Sequence, residues 1–160
     1  MRRLTLILLA ALAFPAAALA VAGDKGDGTL AVRNATGKVQ ISARGSIFGR
    51  IDSGKLIIFD ANPDDASDPQ VFGTDRCRVS LDDRTTVCFD PTGFRFRFFG
   101  GRYRVTLLGS GINVSAVGRG MSTLTGRGTA DDGDYSVNGG AYTPLSVLGA
   151  TTLLAATPVP

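Results

Sequence analysis

The sequence predicts an all-β protein, an antiparallel sandwich or a closed barrel, and three observations carry that prediction. Short runs alternate apolar and polar residues with a period of two, as in Val39-Gln40-Ile41-Ser42-Ala43 and Phe94-Arg95-Phe96-Arg97-Phe98. That is the pattern of a strand with one buried face. The 21 glycines of the 160-residue chain, together with Asn and Asp, close nearly every such run. Finally, the chain echoes itself. Val39-Gln40-Ile41-Ser42-Ala43-Arg44-Gly45 and Ile112-Asn113-Val114-Ser115-Ala116-Val117-Gly118 share the order apolar, amide, apolar, Ser, Ala, any residue, Gly. Two copies of a half-sheet, each a four-strand meander, suit a sandwich or barrel, because both architectures manage exposed sheet edges.

The elements follow in chain order. Arg2 and Arg3 precede the apolar run 4–14, which Pro15 breaks before the small residues 16–22. This reads as a cleaved secretory signal peptide over 1–22. Its apolar core is shorter than the roughly 20 residues that cross a bilayer. The remainder, 23–160, is expected to form a single all-β domain in one core, with no transmembrane segment. Strands are expected at 29–33, 38–44, 46–51, 55–60, 70–73, 76–81, 85–89, 94–99, 102–108, 112–117, 121–125 and 134–138, and in part of 145–154. The apolar tail 145–160 is the least determined element. Its Leu and Ala content would suit a helix, while Val147, Thr151 and Thr152 favour a strand, which is the expectation here.

Cys77 and Cys88 lie equally far from Asp82-Asp83. A hairpin turning there sets the two thiols opposite each other, and in an oxidising compartment they form a disulfide. A redox-active pair would read Cys-x-x-Cys, which this spacing does not.

Several runs resemble a family of short exported bacterial all-β proteins of uncharacterised function. They are Gly26-Asp27-Gly28-Thr29-Leu30, Phe99-Gly100-Gly101-Arg102-Tyr103-Arg104-Val105, the stretch from Gly111 to Gly120, and Asp134-Tyr135-Ser136-Val137-Asn138-Gly139-Gly140. The resemblance implies one secreted β domain and brings no activity with it.

Composition narrows the function. The chain has no His, no Glu and no Trp. Catalysis through an imidazole and an ordinary zinc site are therefore absent from the repertoire. Beyond the leader, Lys and Arg number 15 and Asp 14, a balance that gives no reason to expect nucleic acid as partner. A secreted, non-catalytic binding or structural domain is the expectation. The alternative is an Asp-based extracellular hydrolase using two carboxylates. Asp52-Ser53-Gly54 and its echo Asp131-Asp132-Gly133 are the pair of aspartate turns such chemistry would draw on.

Two constellations are candidate sites. In 94–105, Gly100-Gly101 reads as a two-residue hairpin turn. Such a hairpin places Phe98 opposite Tyr103 on one face and Arg95, Arg97, Arg102 and Arg104 on the other, with Arg97 facing Arg104. Like charges in direct register are costly, and guanidinium forks match carboxylates and phosphates. An anion-binding face is expected, its partner an anionic envelope polymer, a lipid head group or an acidic protein. The second candidate is Asp60, Asn62, Asp64 and Asp68. Their alternation opens like a calcium loop, but Asp65 stands at the glycine position and Val71 at the terminal glutamate position. The loop would hold Ca2+ only weakly.

Overall fold

Two unusually long strands, β1 (Gly28–Ile51) and β7 (Arg102–Gly126), organise the molecule. Where six short strands were expected, 29–33, 38–44 and 46–51 run on as β1, and 102–108, 112–117 and 121–125 run on as β7. Glycines between the runs bend the strands without ending them. The computed structural model of the protein describes residues 26–64 and 68–156. The expected leader 1–22 lies outside the described residues.

Each long strand is bent so that its segments serve two layers of one curled antiparallel sheet. In the first layer, residues 37–44 of β1 lie between residues 102–109 and 119–126 of β7. That layer extends through β2 (Ser53–Asp60), β5 (Thr85–Asp90) and β4 (Cys77–Val79) on one side and β10 (Ala150–Leu154) on the other. In the second layer the roles reverse, and residues 113–118 of β7 lie between residues 28–32 and 45–50 of β1. This layer continues through β8 (Asp134–Val137) and the two-residue β9 (Thr143–Pro144) on one side. On the other it continues through β6 (Phe94–Phe98) and β3 (Gln70–Phe72). No helix occurs among the described residues, and the tail forms β10 on the free edge of β7.

The period-two pattern now has its physical cause. Ile41, Leu56, Val105, Leu107 and Leu124 point inward from the first layer; Leu30, Ile47, Phe96, Phe98, Ile112 and Val114 point inward from the second. Together they make one contiguous apolar core. Burial of large side chains of this kind contributes about 1.5–3 kcal/mol each.

The 94–105 stretch is not the expected hairpin. β6 pairs with β1 in the second layer, Phe94 against Ile51 and Phe98 against Ile47. β7 starts in the first layer, between β1 and β2. The link therefore crosses from one layer to the other. Only Gly100 of the glycine pair takes a positive φ, 71°, and Gly101 N–H bonds back to Phe99 O at 2.9 Å. The arch wins because it lets both apolar faces meet inside: the Phe98 and Tyr103 rings pack across the core at 5.2 Å. It also removes the like-charge contact a hairpin would force on Arg97 and Arg104. The cysteine hairpin forms as expected, with Cys77 in register with Cys88, Asp83 in the turn at φ 54°, and the disulfide closed.

Candidate functional site

A strand that buries every second residue must expose the others, so the outer faces of the two layers are written by the alternate positions of the same strands. Those positions hold eleven cations: Arg33, Lys38, Arg44, Arg50, Lys55, Arg78, Arg95, Arg97, Arg102, Arg104 and Arg119. Among the described residues, the only carboxylate on a strand that faces outward is Asp134, beside Arg33. Asp60 and Asp90, at strand ends, are buried. The other described acids lie in turns and loops. A nearly neutral chain thus presents cationic faces and an acidic rim.

The arch divides the four predicted arginines between those faces. Arg95 and Arg97 lie on the outer face of the second layer, Arg102 and Arg104 on that of the first. Each pair has found other arginines. In the second layer Arg95 is in direct register with Arg50 of β1, and Phe72 of β3 flanks it. In the first layer Arg44 of β1 faces Arg102 on one side and Arg119 on the other. Directly opposed residues stand about 4.5–5.5 Å apart between Cα atoms. Arg119 is paired with Asp27, Nε to Oδ1 3.0 Å. Arg97 donates to Gln70 Oε1 at 2.6 Å, and Arg104 sits over the Phe59 ring at 5.8 Å. Among the described residues, no carboxylate lies within ion-pair distance of Arg44, Arg50, Arg95 or Arg102.

The second layer's face adds aromatic rings. Phe48, Phe72, Phe99 and Tyr142 are 36%, 47%, 48% and 37% exposed. Phe48 and Phe99 meet edge to face at 5.2 Å. The Arg33 guanidinium lies 3.9 Å above the Tyr142 ring, and Arg97 lies between Phe72 and Phe99 at 5.2 and 5.6 Å. Such stacking holds a guanidinium flat and keeps its outer edge in solvent. Of these residues Arg33, Phe48 and Tyr142 line a shallow groove of about 460 Å³ together with Arg50, Arg95, Asn113 and Ser115, and Phe72 lines an adjoining recess that shares Arg50 and Arg95. On the first layer, Arg44 and Arg102 border a smaller recess of about 270 Å³ with Asn62 and the Gly100-Gly101 backbone.

Sequence reasoning missed Arg33, Arg44, Arg50, Phe48 and Tyr142. Arg50 and Phe48 do alternate with Ile47 and Ile51, so their outward direction was readable. Their register with residues far along the chain was not.

The predicted calcium ligands do not surround a common point among the described residues. Asp60 ends β2, and its buried carboxylate accepts the Asn62 N–H at 2.9 Å. Asn62, Asp64 and Asp68 are exposed. No cluster of three His, Cys, Asp or Glu side chains is found among the described residues. Of the aspartate turns, Asp52 is exposed between β1 and β2, its backbone N–H on Ser110 O. Asp132 is buried and caps its own loop, accepting from Gly128 N–H and from Thr129 N–H and O–H. Those bonds, the Thr129 hydroxyl first, hold its carboxyl below the usual range. A cleft of about 520 Å³ near both turns is lined by Lys38, Arg127, Ser53 and backbone glycines, without a carboxylate.

No helix among the described residues is long and apolar enough to cross a membrane. Comparison of the chain with protein-family profiles, curated proteins and solved structures finds no match in any of the three. The chemistry of the surface therefore carries the functional argument alone.

Proposed function

We propose that the protein is an exported, non-catalytic binding domain whose groove at Arg50 and Arg95 takes an acidic polysaccharide of the cell envelope. The observation that carries this reading is the direct opposition of Arg50 and Arg95 with no carboxylate at ion-pair distance among the described residues, Asp52 only bordering the adjoining recess. A fold that tolerates a like-charge contact across two strands gains by having an anion between them. The flanking Phe48, Phe72 and Tyr142 rings favour a sugar polymer over a free ion. Flat apolar rings suit the C–H face of a pyranose, while the guanidinium forks take its carboxylates. Of the sequence reading Arg95 stays in this site and Arg97 lies beside it, opposite Phe48, whereas Arg102 and Arg104 do not. Export rests on the leader over 1–22 and the disulfide, with secretion or a periplasmic location as the result. The same reading treats the halves of the chain as copies. In its support, β1 and β7 each lie between two segments of the other.

The test is retention on immobilised alginate, with wild type compared with Arg50→Gln/Arg95→Gln after the variant shows a melting temperature no lower than wild type. Wild type is expected to bind and to elute as salt rises, since exposed charges are screened within about 8 Å at physiological salt. The variant should bind at least about tenfold more weakly, the loss of two exposed charge-assisted contacts. Equal retention would overturn the proposal. So would stronger binding to oligo-dT or to anionic vesicles than to alginate.

A further inference from the structure

The recess on the first layer repeats the acid-binding chemistry of the groove on the second layer. We propose that Arg44 and Arg102 form a second, separate site for an acid group, so that one molecule joins two chains of the same acidic polysaccharide. This inference rests on the reading of the Arg50–Arg95 groove and extends it from binding to cross-linking.

Three observations carry it. Arg44 and Arg102 are directly opposed across β1 and β7, and neither has a carboxylate partner among the described residues. Both border a recess of about 270 Å³ whose other walls are Asn62 and the Gly100-Gly101 backbone. Gly100 is open to solvent, with no atom within 4 Å of where its Cβ would stand, so a polymer backbone approaches without collision. The recess therefore presents two guanidinium groups and a carboxamide to one carboxylate, with no acid in its lining. The third observation is direction. Phe98 and Tyr103 meet in the core from the two layers, and strand alternation turns the residues beside them, Arg97 and Arg102, outward from different layers. Two sites on different layers engage two chains, and linked engagement raises apparent affinity by orders of magnitude when both are held on one matrix.

The recess has no half-exposed aromatic ring in its lining, unlike the groove. Its recognition is of the acid group and less of the sugar face. It is expected to be the weaker and more salt-sensitive of the two sites.

Titration calorimetry with an alginate decamer, at a protein concentration where sedimentation shows a monomer, reads the number of sites. Turbidity with long alginate reads cross-linking. Wild type is expected to bind two decamers and to make long alginate turbid. Arg44→Gln/Arg102→Gln and Arg50→Gln/Arg95→Gln should each bind one decamer and leave the solution clear, with melting temperatures no lower than wild type. Ser42→Ala, on the same first-layer face but outside the recess, should behave as wild type. One decamer per wild-type molecule, lost only in Arg50→Gln/Arg95→Gln, would overturn the second site and leave the groove standing. One decamer lost only in Arg44→Gln/Arg102→Gln would overturn both. Two decamers unaffected by Arg44→Gln/Arg102→Gln would place the second site elsewhere and overturn this assignment.

Discussion

Gly45 and Gly118 are in register where β1 and β7 change layer, with φ of 150° and 155°. A Cβ on Gly45 would stand 2.1 Å from Val117 O, and one on Gly118 would stand 2.1 Å from Arg44 O. The clash is backbone against backbone, so nothing flexible yields. Gly45→Ala is expected to lose about 3 kcal/mol or more of stability in urea unfolding, through left-handed strain plus displacement of the partner strand. Gly139→Ala, at φ 70° with open space around it, should lose about 1 kcal/mol, the conformational share alone. A second residue-scale prediction concerns Asp90. Its buried carboxylate accepts from the Thr92 hydroxyl and N–H at 2.6 and 2.8 Å. These bonds, aided by Thr74, lower its pKa to about 2. The unfolded value is about 3.9. A depressed folded pKa adds stability that is present above the unfolded value and disappears as pH falls toward the folded one. Stability measured at pH 5 and again near pH 2 should therefore fall further in wild type than in Asp90→Asn, and the two curves should converge at the acid end. Equal slopes would show that the carboxylate contributes nothing. Both glycines were visible in the echoed run ending in Gly. They read as strand ends, because a glycine that stops a strand and one that bends it look alike until a partner is known.

At the scale of elements, legibility followed sequence distance. The β4–β5 hairpin was readable because its partners flank one turn, and Cys77 and Cys88 meet as their spacing required. Cys77→Ala/Cys88→Ala is expected to lower stability by about 2–3 kcal/mol in thermal unfolding, the usual effect of opening a short loop. β4 is an edge strand held only to β5, so limited proteolysis of the variant should cut first within 76–84. The β6–β7 link was misread for a physical reason. A hairpin and an arch demand the same alternation of Phe and Arg and the same glycine turn. They differ only in whether the two strands bond to each other or to others. Here β1 outcompetes β7 for β6, because Ile47 and Ile51 offer Phe98 and Phe94 partners that are already inside. That choice decides which arginines form a site. Arg97 loses Arg104 and Arg95 gains Arg50, and no pattern local to 94–105 contains that information.

Over the whole molecule, the all-β class and the inward set of residues were legible because burial imposes its period on every strand. The candidate site was half legible: Arg95 and Arg97 were named, their neighbours were not. Net charge concealed the rest, since fifteen cations and fourteen acids beyond the leader nearly cancel in sum, while among the described residues most cations lie on the strand faces and most acids in turns and loops. The exchange of segments between β1 and β7 also sets the order in which the chain becomes a protein. Residues 37–44 have no strand on either side until residue 102 arrives, and their second neighbour is complete only at residue 126. Closing pairings of such long sequence separation is slow. A chain emerging amino end first, from a ribosome or through a membrane pore, therefore stays threadable for most of its length and locks only when its last third is free.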